Sequence, residues 1–140
     1  MTKLAVSSGD PAGIGPDICI KAFGSKTELH YSPVIFGDPY LFKERAKALG
    51  QKIDLQIYRG ENEELLSNNC LWIKPHDLKQ SVKPGEPDAF YASYIMGLFK
   101  DAIEKTVSNE FNGLVTGPIN KEFMNRGGVV FQGHTEVLAR

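Results

Sequence analysis

The sequence predicts a three-layer α/β fold, in which a mixed or largely parallel sheet lies between flanking helices. Short apolar runs alternate with amphipathic segments in the order β, α, β, α, β over residues 3–58. This order favours parallel pairing with right-handed crossovers. The first run is continuously apolar, as in a strand that helices cover on both faces. At 140 residues the chain suffices for one domain with a sizeable core but not for two.

The first strand is predicted over residues 3–8, and a loop rich in glycine and proline follows at residues 9–17. A short helix is predicted over residues 17–23, with Pro16 suited to its first turn. A glycine-rich loop between a strand and a helix is typical of phosphate binding, because unpaired amide N–H groups lie at the helix start. The glycine spacing fits neither the dinucleotide fingerprint nor the Walker loop. The spacing by itself therefore does not identify a ligand.

The second unit is a strand at residues 33–36 followed by a helix at residues 39–49. Asp38 is expected to cap this helix, and Gly50 is expected to end it. Its apolar residues recur at helical spacing. The charged side chains that are expected to face water are Lys43, Glu44, Arg45 and Lys47.

Residues 53–58 alternate apolar and polar side chains, which predicts a strand near the sheet edge with one wet face. Residues 60–69 are polar and predict a surface turn or short helix. A brief apolar run at residues 70–73 precedes a loop at residues 75–87. Within that loop, His76 beside Asp77 fits either a ligand pair or a solvated histidine, and the second interpretation is favoured.

A long helix is predicted from Asp88 to Val107, because one apolar stripe runs along about five turns. A stripe of this width indicates core packing and requires no cofactor. Its members are Tyr91, Tyr94, Ile95, Leu98, Phe99, Ala102, Ile103 and Val107.

The last predicted strand, residues 113–115, ends in Thr116-Gly117-Pro118. Polar residues after such a strand lie at the edge where open α/β sheets bind ligands. Gly117 permits close approach of the backbone to a ligand, Pro118 suits the start of the next helix, and Lys121 can reach an anion. Two interpretations stay open: a ligand site, or a plain strand-turn-helix connection with a surface lysine and a solvated or capping His134.

Composition excludes several classes of protein. The formal net charge is -1 and no Lys/Arg cluster occurs, which argues against a nucleic-acid surface. No apolar stretch approaches the roughly 18 residues that span a bilayer, and no cleavable leader is evident, so we expect a cytoplasmic protein. Cys19 and Cys70 lack CxxC spacing and are expected to be small, buried side chains.

Three segments together carry a family resemblance: SGDPAGIGPD at residues 8–17, VTGPINK at residues 115–121 and GHTE at residues 133–136. In this order they resemble the N-terminal motifs of the 4-hydroxythreonine-4-phosphate dehydrogenase family. The first is also similar to the opening of the isocitrate and isopropylmalate dehydrogenases, whose fold the family shares. The resemblance implies residues 1–140 are one N-terminal α/β domain, or part of one, in a longer two-domain enzyme.

The resemblance implies NAD- or NADP-dependent oxidation of 4-phosphooxy-threonine, followed by decarboxylation, in pyridoxal 5'-phosphate biosynthesis. It also implies a homodimer and a divalent metal, zinc, cobalt or magnesium, which would activate the substrate alcohol. The family's metal-binding histidines fall beyond residue 140. No metal ligand is therefore expected in this chain, and His30 and His76 are expected to be surface residues.

By position, His134 and Thr135 match the family's substrate-binding pair. Asn120 and Lys121 match a motif that lines the same cleft, and Lys121 is also the candidate catalytic residue. The candidate cofactor-binding residues, from the loop that borders the cofactor cleft, are Asp10, Ala12, Gly13 and Gly15.

Two departures from the family pattern matter. Asp17 stands where the family has glutamate, and family members are more than twice as long as this chain. We therefore expect a truncated polypeptide with a sheet incomplete at its C-terminal side and little activity of its own.

Three other functions stay open. One is a paralogous dehydrogenase of threonate or erythronate 4-phosphate, or of a dihydrodiol. Another is a catalytically inactive fragment that binds an anion or dimerises. The third is a nucleotide-binding module that uses residues 9–15, against which the absence of a Walker lysine counts.

Overall fold

A computed structural model describes residues 2–24, 30–60, 70–79, 81–86, 88–119, 121–128 and 138. Within these residues, parallel strands and helices alternate along the chain. In chain order the elements are β1 (Thr2–Ser7), α1 (Gly15–Phe23), β2 (Tyr31–Gly37), α2 (Pro39–Ala48), β3 (Leu55–Ile57), β4 (Leu71–Pro75), a 3-10 helix (Ala89–Tyr91), α3 (Ala92–Val107), β5 (Gly113–Thr116) and α4 (Lys121–Arg126).

The described strands form one sheet in the order β3-β4-β2-β1-β5, and every pair is parallel. Ser7 at the end of β1 is in register with Phe36 of β2 and with Thr116 of β5. Because parallel strands end at the same edge, the loops that follow β1, β2, β4 and β5 gather there. The predicted α/β fold with a largely parallel sheet is confirmed.

The sheet is covered on both faces. The first face packs on α1 and α2 through a buried cluster of Val6, Cys19, Ile20, Ile35, Phe42, Ala46, Leu71 and Ile73. The second face packs chiefly on α3 through Ala5, Val34, Phe36, Tyr58, Leu98, Ala102 and Phe111. Neighbouring strand residues such as Ala5 and Val6 alternate between the two clusters, as strand geometry requires. The result is the predicted three-layer arrangement.

A third cluster joins the loop after β1 to the start of α3 and to α4. It contains Ala12 from the loop and Met124 from α4, both almost completely buried. This packing fixes the loop and the short helix that follows β5 against the same end of α3. The remaining members are Leu78, Tyr91, Ala92, Ile95, Met96 and Phe99.

Most predicted elements occur within a few residues of their expected bounds. Asp38 caps α2 by accepting a hydrogen bond from the amide of Tyr40, as predicted. The apolar run at residues 70–73 forms part of β4, and the expected strand at residues 53–58 is reduced to β3 at the described sheet edge. The expectation that Pro118 starts a helix is wrong by three residues, because α4 begins at Lys121.

Two side chains lie on the opposite side from that predicted. Arg45 was expected to face water but is only 4% exposed, because it lies one turn after Leu41 on the apolar face of α2. Val107 was expected in the buried stripe of α3 but is 76% exposed. Each four-residue step advances about 40° around a helix, so a long i, i+4 series turns away from the core.

Candidate functional site

The loops that follow β1 and β5 meet at the carboxyl edge of the sheet. The amide of Asp10 donates a hydrogen bond to the carbonyl oxygen of Pro118 at 3.1 Å. The amide of Gly117 donates to the carbonyl oxygen of Ser7 at 2.6 Å. Two motifs that are far apart in the sequence therefore form one continuous surface of backbone.

Glycine is required where these loops cross. A Cβ atom on Gly15 would overlap the carbonyl oxygen of Ser8, and one on Gly117 would lie 2.6 Å from the same oxygen. Gly9 has a φ of +77°, and a Cβ there would lie 2.5 Å from the Pro118 oxygen. By contrast, a Cβ on Gly13 would make only ordinary contacts, at 3.5 Å. Three of the loop glycines are therefore dictated by backbone contacts inside the protein, whatever the ligand.

Asp10 stabilises the loop from within. It is 9% exposed, and its carboxylate accepts a hydrogen bond from the amide of Ala12 at 2.9 Å. The amide of Gly13 donates to the Asp10 carbonyl oxygen at 3.0 Å. Burial raises the pKa of the Asp10 carboxyl, against the lowering effects of the Ala12 hydrogen bond and the Arg45 charge.

Arg45 holds the other side of the same loop. Its guanidinium donates to the carbonyl oxygens of Gly13 at 3.0 Å and Pro11 at 2.6 Å. It also forms an ion pair with Asp17, in the first turn of α1, at 2.8 Å. Sequence reasoning missed this residue, although its spacing from Leu41 and Ala46 placed it on the buried face of α2.

The ends of β1 and β2 are joined by a hydrogen-bonded network. The Ser8 hydroxyl donates to the carbonyl oxygen of Phe36 at 2.9 Å, and the amide of Asp38 donates to the Tyr94 hydroxyl at 2.9 Å. The second carboxylate oxygen of Asp38 accepts from the amide of Leu78 at 2.9 Å. Burial raises the pKa of Tyr94, so its hydroxyl stays protonated. These bonds connect the ends of β1 and β2 to α3 and to the segment after β4.

Lys121 is the only predicted substrate-binding residue among those that the structure describes. It is exposed at the first position of α4, which Met124 anchors in the third cluster. Asn120, His134 and Thr135 lie outside the described residues. Their placement beside Lys121 therefore stays a prediction.

His76 lies partly at the surface and has a side-chain partner on another element. Its Nε2 atom lies 2.8 Å from a carboxylate oxygen of Asp101 on α3, and that oxygen is 3.2 Å from the Lys74 ammonium. The ring is 24% exposed, and its partner among the described residues is Asp101 rather than the adjacent Asp77. Burial alone would raise the pKa of Asp101, but the His76 hydrogen bond and the Lys74 charge hold it below its ordinary value. The signal was absent from the local sequence, because Asp101 comes from another element. His30 is exposed, as predicted.

A shallow cavity of about 170 Å³ lies beside the start of α2, at a place that the sequence did not indicate. It shares Asp38 with the network at the sheet edge. Its lining residues are Asp38, Tyr40, Leu41, Glu44, Leu78, Ser81 and Val82.

The side chains that commonly bind metal ions do not form a cluster in the part of the chain that the structure describes. Among those residues, no group of three or more His, Cys, Asp or Glu side chains is placed to hold a metal ion. Cys19 and Cys70 are both buried, as expected. No helix within the described ranges has the length and hydropathy needed to cross a membrane.

Fold and site together define an α/β protein of the class that binds ligands at the carboxyl edge of a parallel sheet, between strands whose connections diverge. Here that position lies between β1 and β5, where the two motifs meet. The family model for the pyridoxal phosphate biosynthetic protein PdxA matches residues 30–140. This chain belongs to that family, and the predicted resemblance is confirmed.

Curated relatives named 4-hydroxythreonine-4-phosphate dehydrogenase match nearly the whole chain. The proteins of Shewanella frigidimarina and Saccharophagus degradans are 36% and 35% identical, over 99% and 97% of this chain. The chain spans only 42% and 40% of their respective lengths.

Solved structures bearing the same enzyme name share the fold. The crystal structure of the Klebsiella pneumoniae dehydrogenase matches with a TM-score of 0.90 and 27% identity. That of a putative Salmonella typhimurium dehydrogenase matches with a TM-score of 0.89 and 25% identity. Each comparison covers 99% of this chain and 44% of the other chain.

Proposed function

We propose that this chain forms the amino-terminal part of a dehydrogenase site that oxidises 4-phosphooxy-threonine with NAD or NADP. Decarboxylation of the oxidised product and a role in pyridoxal 5'-phosphate biosynthesis belong to the same proposal. The observation that carries it is the hydrogen bond between Asp10 and Pro118, which unites the two family motifs at the ligand-binding edge. The names of the relatives supply the reaction.

The loop at residues 9–15 suits the phosphate groups of a dinucleotide. Helix α1 begins after Ile14, which provides no side-chain cap for the first amide groups of the helix. Uncapped amides and the helix dipole favour an anion at this end. A Cβ atom on Gly13 would make only ordinary contacts with Asp10, so packing does not require glycine there, and the missing side chain permits close approach of a ligand. The nicotinamide of such a cofactor would accept a hydride from the substrate alcohol.

Lys121 suits the phosphorylated substrate. Its ammonium is exposed at the start of α4, beside the Thr116-Gly117-Pro118 turn, and can donate to a phosphate or carboxylate oxygen. We propose it as a binding residue and as the candidate catalytic residue, with Asn120, His134 and Thr135 in the same cleft. The described residues offer no metal ligand set, so no step is assigned to a zinc, cobalt or magnesium ion. A homodimer and a cytoplasmic location stay predictions.

The test is turnover by the purified protein expressed from its complete gene. Reduction of NAD or NADP in the presence of 4-phosphooxy-threonine is the expected result, with carbon dioxide as a second product. Lys121→Met should raise the KM for the phosphorylated substrate by about tenfold or more, because a charge-assisted hydrogen bond is lost. Lys100→Met, which removes an exposed charge from α3, is the matched control and should leave KM unchanged.

Other outcomes identify the alternatives. Preferred oxidation of threonate or erythronate 4-phosphate, or of a dihydrodiol, would assign the protein to a paralogous dehydrogenase. Binding of a phosphorylated ligand without reduction of either nucleotide would contradict the proposed reaction and leave an anion-binding protein.

A further inference from the structure

Arg45 is a buried cation, and among the described residues its guanidinium donates to the glycine-rich loop and to the first turn of α1. Burial of a guanidinium is costly unless its donors are paired. The pairing comes from two backbone oxygens, of Pro11 and Gly13, and from the Asp17 carboxylate. Two of these three acceptors therefore belong to the backbone of the loop.

These bonds determine which way the loop presents its amides. In a planar trans peptide the carbonyl and the N–H point in opposite directions. The Gly13 carbonyl points at Arg45, so the N–H of Ile14 in the same peptide points away from the guanidinium. Ile14 is the residue before α1 that lacks a side-chain cap. The contact with Arg45 thus leaves an uncapped amide directed away from α2.

We propose that Arg45 is a positioning residue, which holds the loop at residues 11–14 in the conformation that leaves the Ile14 amide for an anionic ligand. The ligand class is the diphosphate of a nicotinamide dinucleotide, so this inference rests on the proposed function. Arg45 acts through the loop and does not itself touch the ligand. Asp17 accepts, at 2.8 Å, from the same guanidinium nitrogen (Nη1) that donates to the Gly13 carbonyl oxygen.

A purely structural role would be to tie α1 to α2 through the ion pair with Asp17. Two substitutions separate the roles. Asp17→Asn removes the charge of that pair but leaves both carbonyl contacts to Arg45. Arg45→Lys keeps the cation, yet a single ammonium cannot reproduce the spread of the guanidinium donors. Lys43→Met, at an exposed position of the same helix, is the matched control.

The experiment uses the protein expressed from its complete gene, with Arg45→Met added to these variants. Amide hydrogen exchange at residues 12–15, the KM for NAD or NADP, kcat and the unfolding midpoint are measured for each variant. Arg45→Met should speed loop exchange and raise the cofactor KM by about tenfold or more, since a charged donor to two buried carbonyls is lost. Arg45→Lys should change the loop exchange and the cofactor KM in the same direction as Arg45→Met but by less. Asp17→Asn should lower the unfolding midpoint with a smaller change in KM, and Lys43→Met should change nothing.

Equal effects of Arg45→Met and Asp17→Asn on loop exchange and on KM would overturn the proposal and leave only the tie between helices. If Arg45→Met does not fold, Arg45→Lys decides: unchanged loop exchange and KM would overturn the inference. If the unaltered protein reduces neither nucleotide, the proposed function fails. In that case the amide hydrogen exchange of the loop still tests whether Arg45 holds its conformation. Unchanged exchange in the Arg45 variants would overturn the positioning role.

Discussion

Gly15 is the residue at which the fold leaves least choice. A Cβ atom there would overlap the carbonyl oxygen of Ser8, which is backbone and cannot turn aside. We expect Gly15→Ala to lower the free energy of unfolding by roughly 2 kcal/mol or more, because α1 or the end of β1 must shift. Urea unfolding followed by circular dichroism measures the effect.

Gly97 provides the control for this substitution. It is exposed within α3, and a Cβ atom there would meet nothing within 4 Å. Gly97→Ala should raise the free energy of unfolding by about 0.5–1 kcal/mol, because alanine has the higher helix propensity. A Gly15→Ala variant as stable as Gly97→Ala would contradict the steric explanation.

At the same scale, sequence reasoning located the glycine-rich loop correctly but assigned Arg45 to water. Arginine is seldom buried, which favours a position in water. Its spacing from Leu41 and Ala46, however, places it on the buried face of α2. Only the acceptors on the loop make the burial favourable, and they come from another part of the chain. A buried charge of this kind is predictable in position but not in partner.

Among the elements, β4 and α3 are joined by the group of Lys74, His76 and Asp101. The folded-state pKa of Asp101 lies below its ordinary value of 3.8. The unfolded chain therefore binds this proton more tightly. The stability that Asp101 contributes is present above pH 3.8 and is lost as the pH falls through the folded-state pKa.

Asp101→Asn should lower the free energy of unfolding at neutral pH by about 1 kcal/mol, a modest value because solvent partly screens the group. It should also weaken the dependence of stability on pH below the ordinary carboxyl pKa. Urea unfolding over a series of acidic buffers measures both effects. Glu104→Gln, at an exposed position of the same helix, is the control and should leave the curve unchanged. An identical acid limb in Asp101→Asn would refute the assignment.

The helices and strands differ from the sequence-based predictions for physical reasons. The order and type of the main elements followed from apolar periodicity, and the cap at Asp38 was correct. Helix α3 was predicted to bury Val107, since the i, i+4 series was extended without the rotation that accumulates along a helix. The local sequence does not indicate the partner of His76, because Asp101 lies on α3, and only the packing of α3 on the sheet brings the two side chains together.

Across the whole molecule, the two thiols report on the integrity of the core. Cys19 and Cys70 are 5% and 7% exposed, and burial raises the pKa of Cys19 to about 12. We expect a disulfide reagent that labels thiols to react with Cys19 at least roughly a hundredfold more slowly in the folded protein than in the unfolded chain at mildly alkaline pH. The reason is that the thiolate is the reactive form, and burial disfavours it. In denaturant, both thiols should become accessible to the reagent in the same unfolding transition. Rapid labelling of Cys19 in native buffer would show that α1 opens locally.

The sequence by itself determined the alternation of strands and helices and the three motifs that carry the family resemblance. These patterns are local, so they can be recognised in the sequence without knowing how the elements pack. The tertiary structure decided that Asp10 meets Pro118, that Arg45 reaches Pro11 and Gly13, and that His76 pairs with Asp101. Such contacts join residues that are distant along the chain, and only the parallel order of the strands and the packing of the helices bring them together.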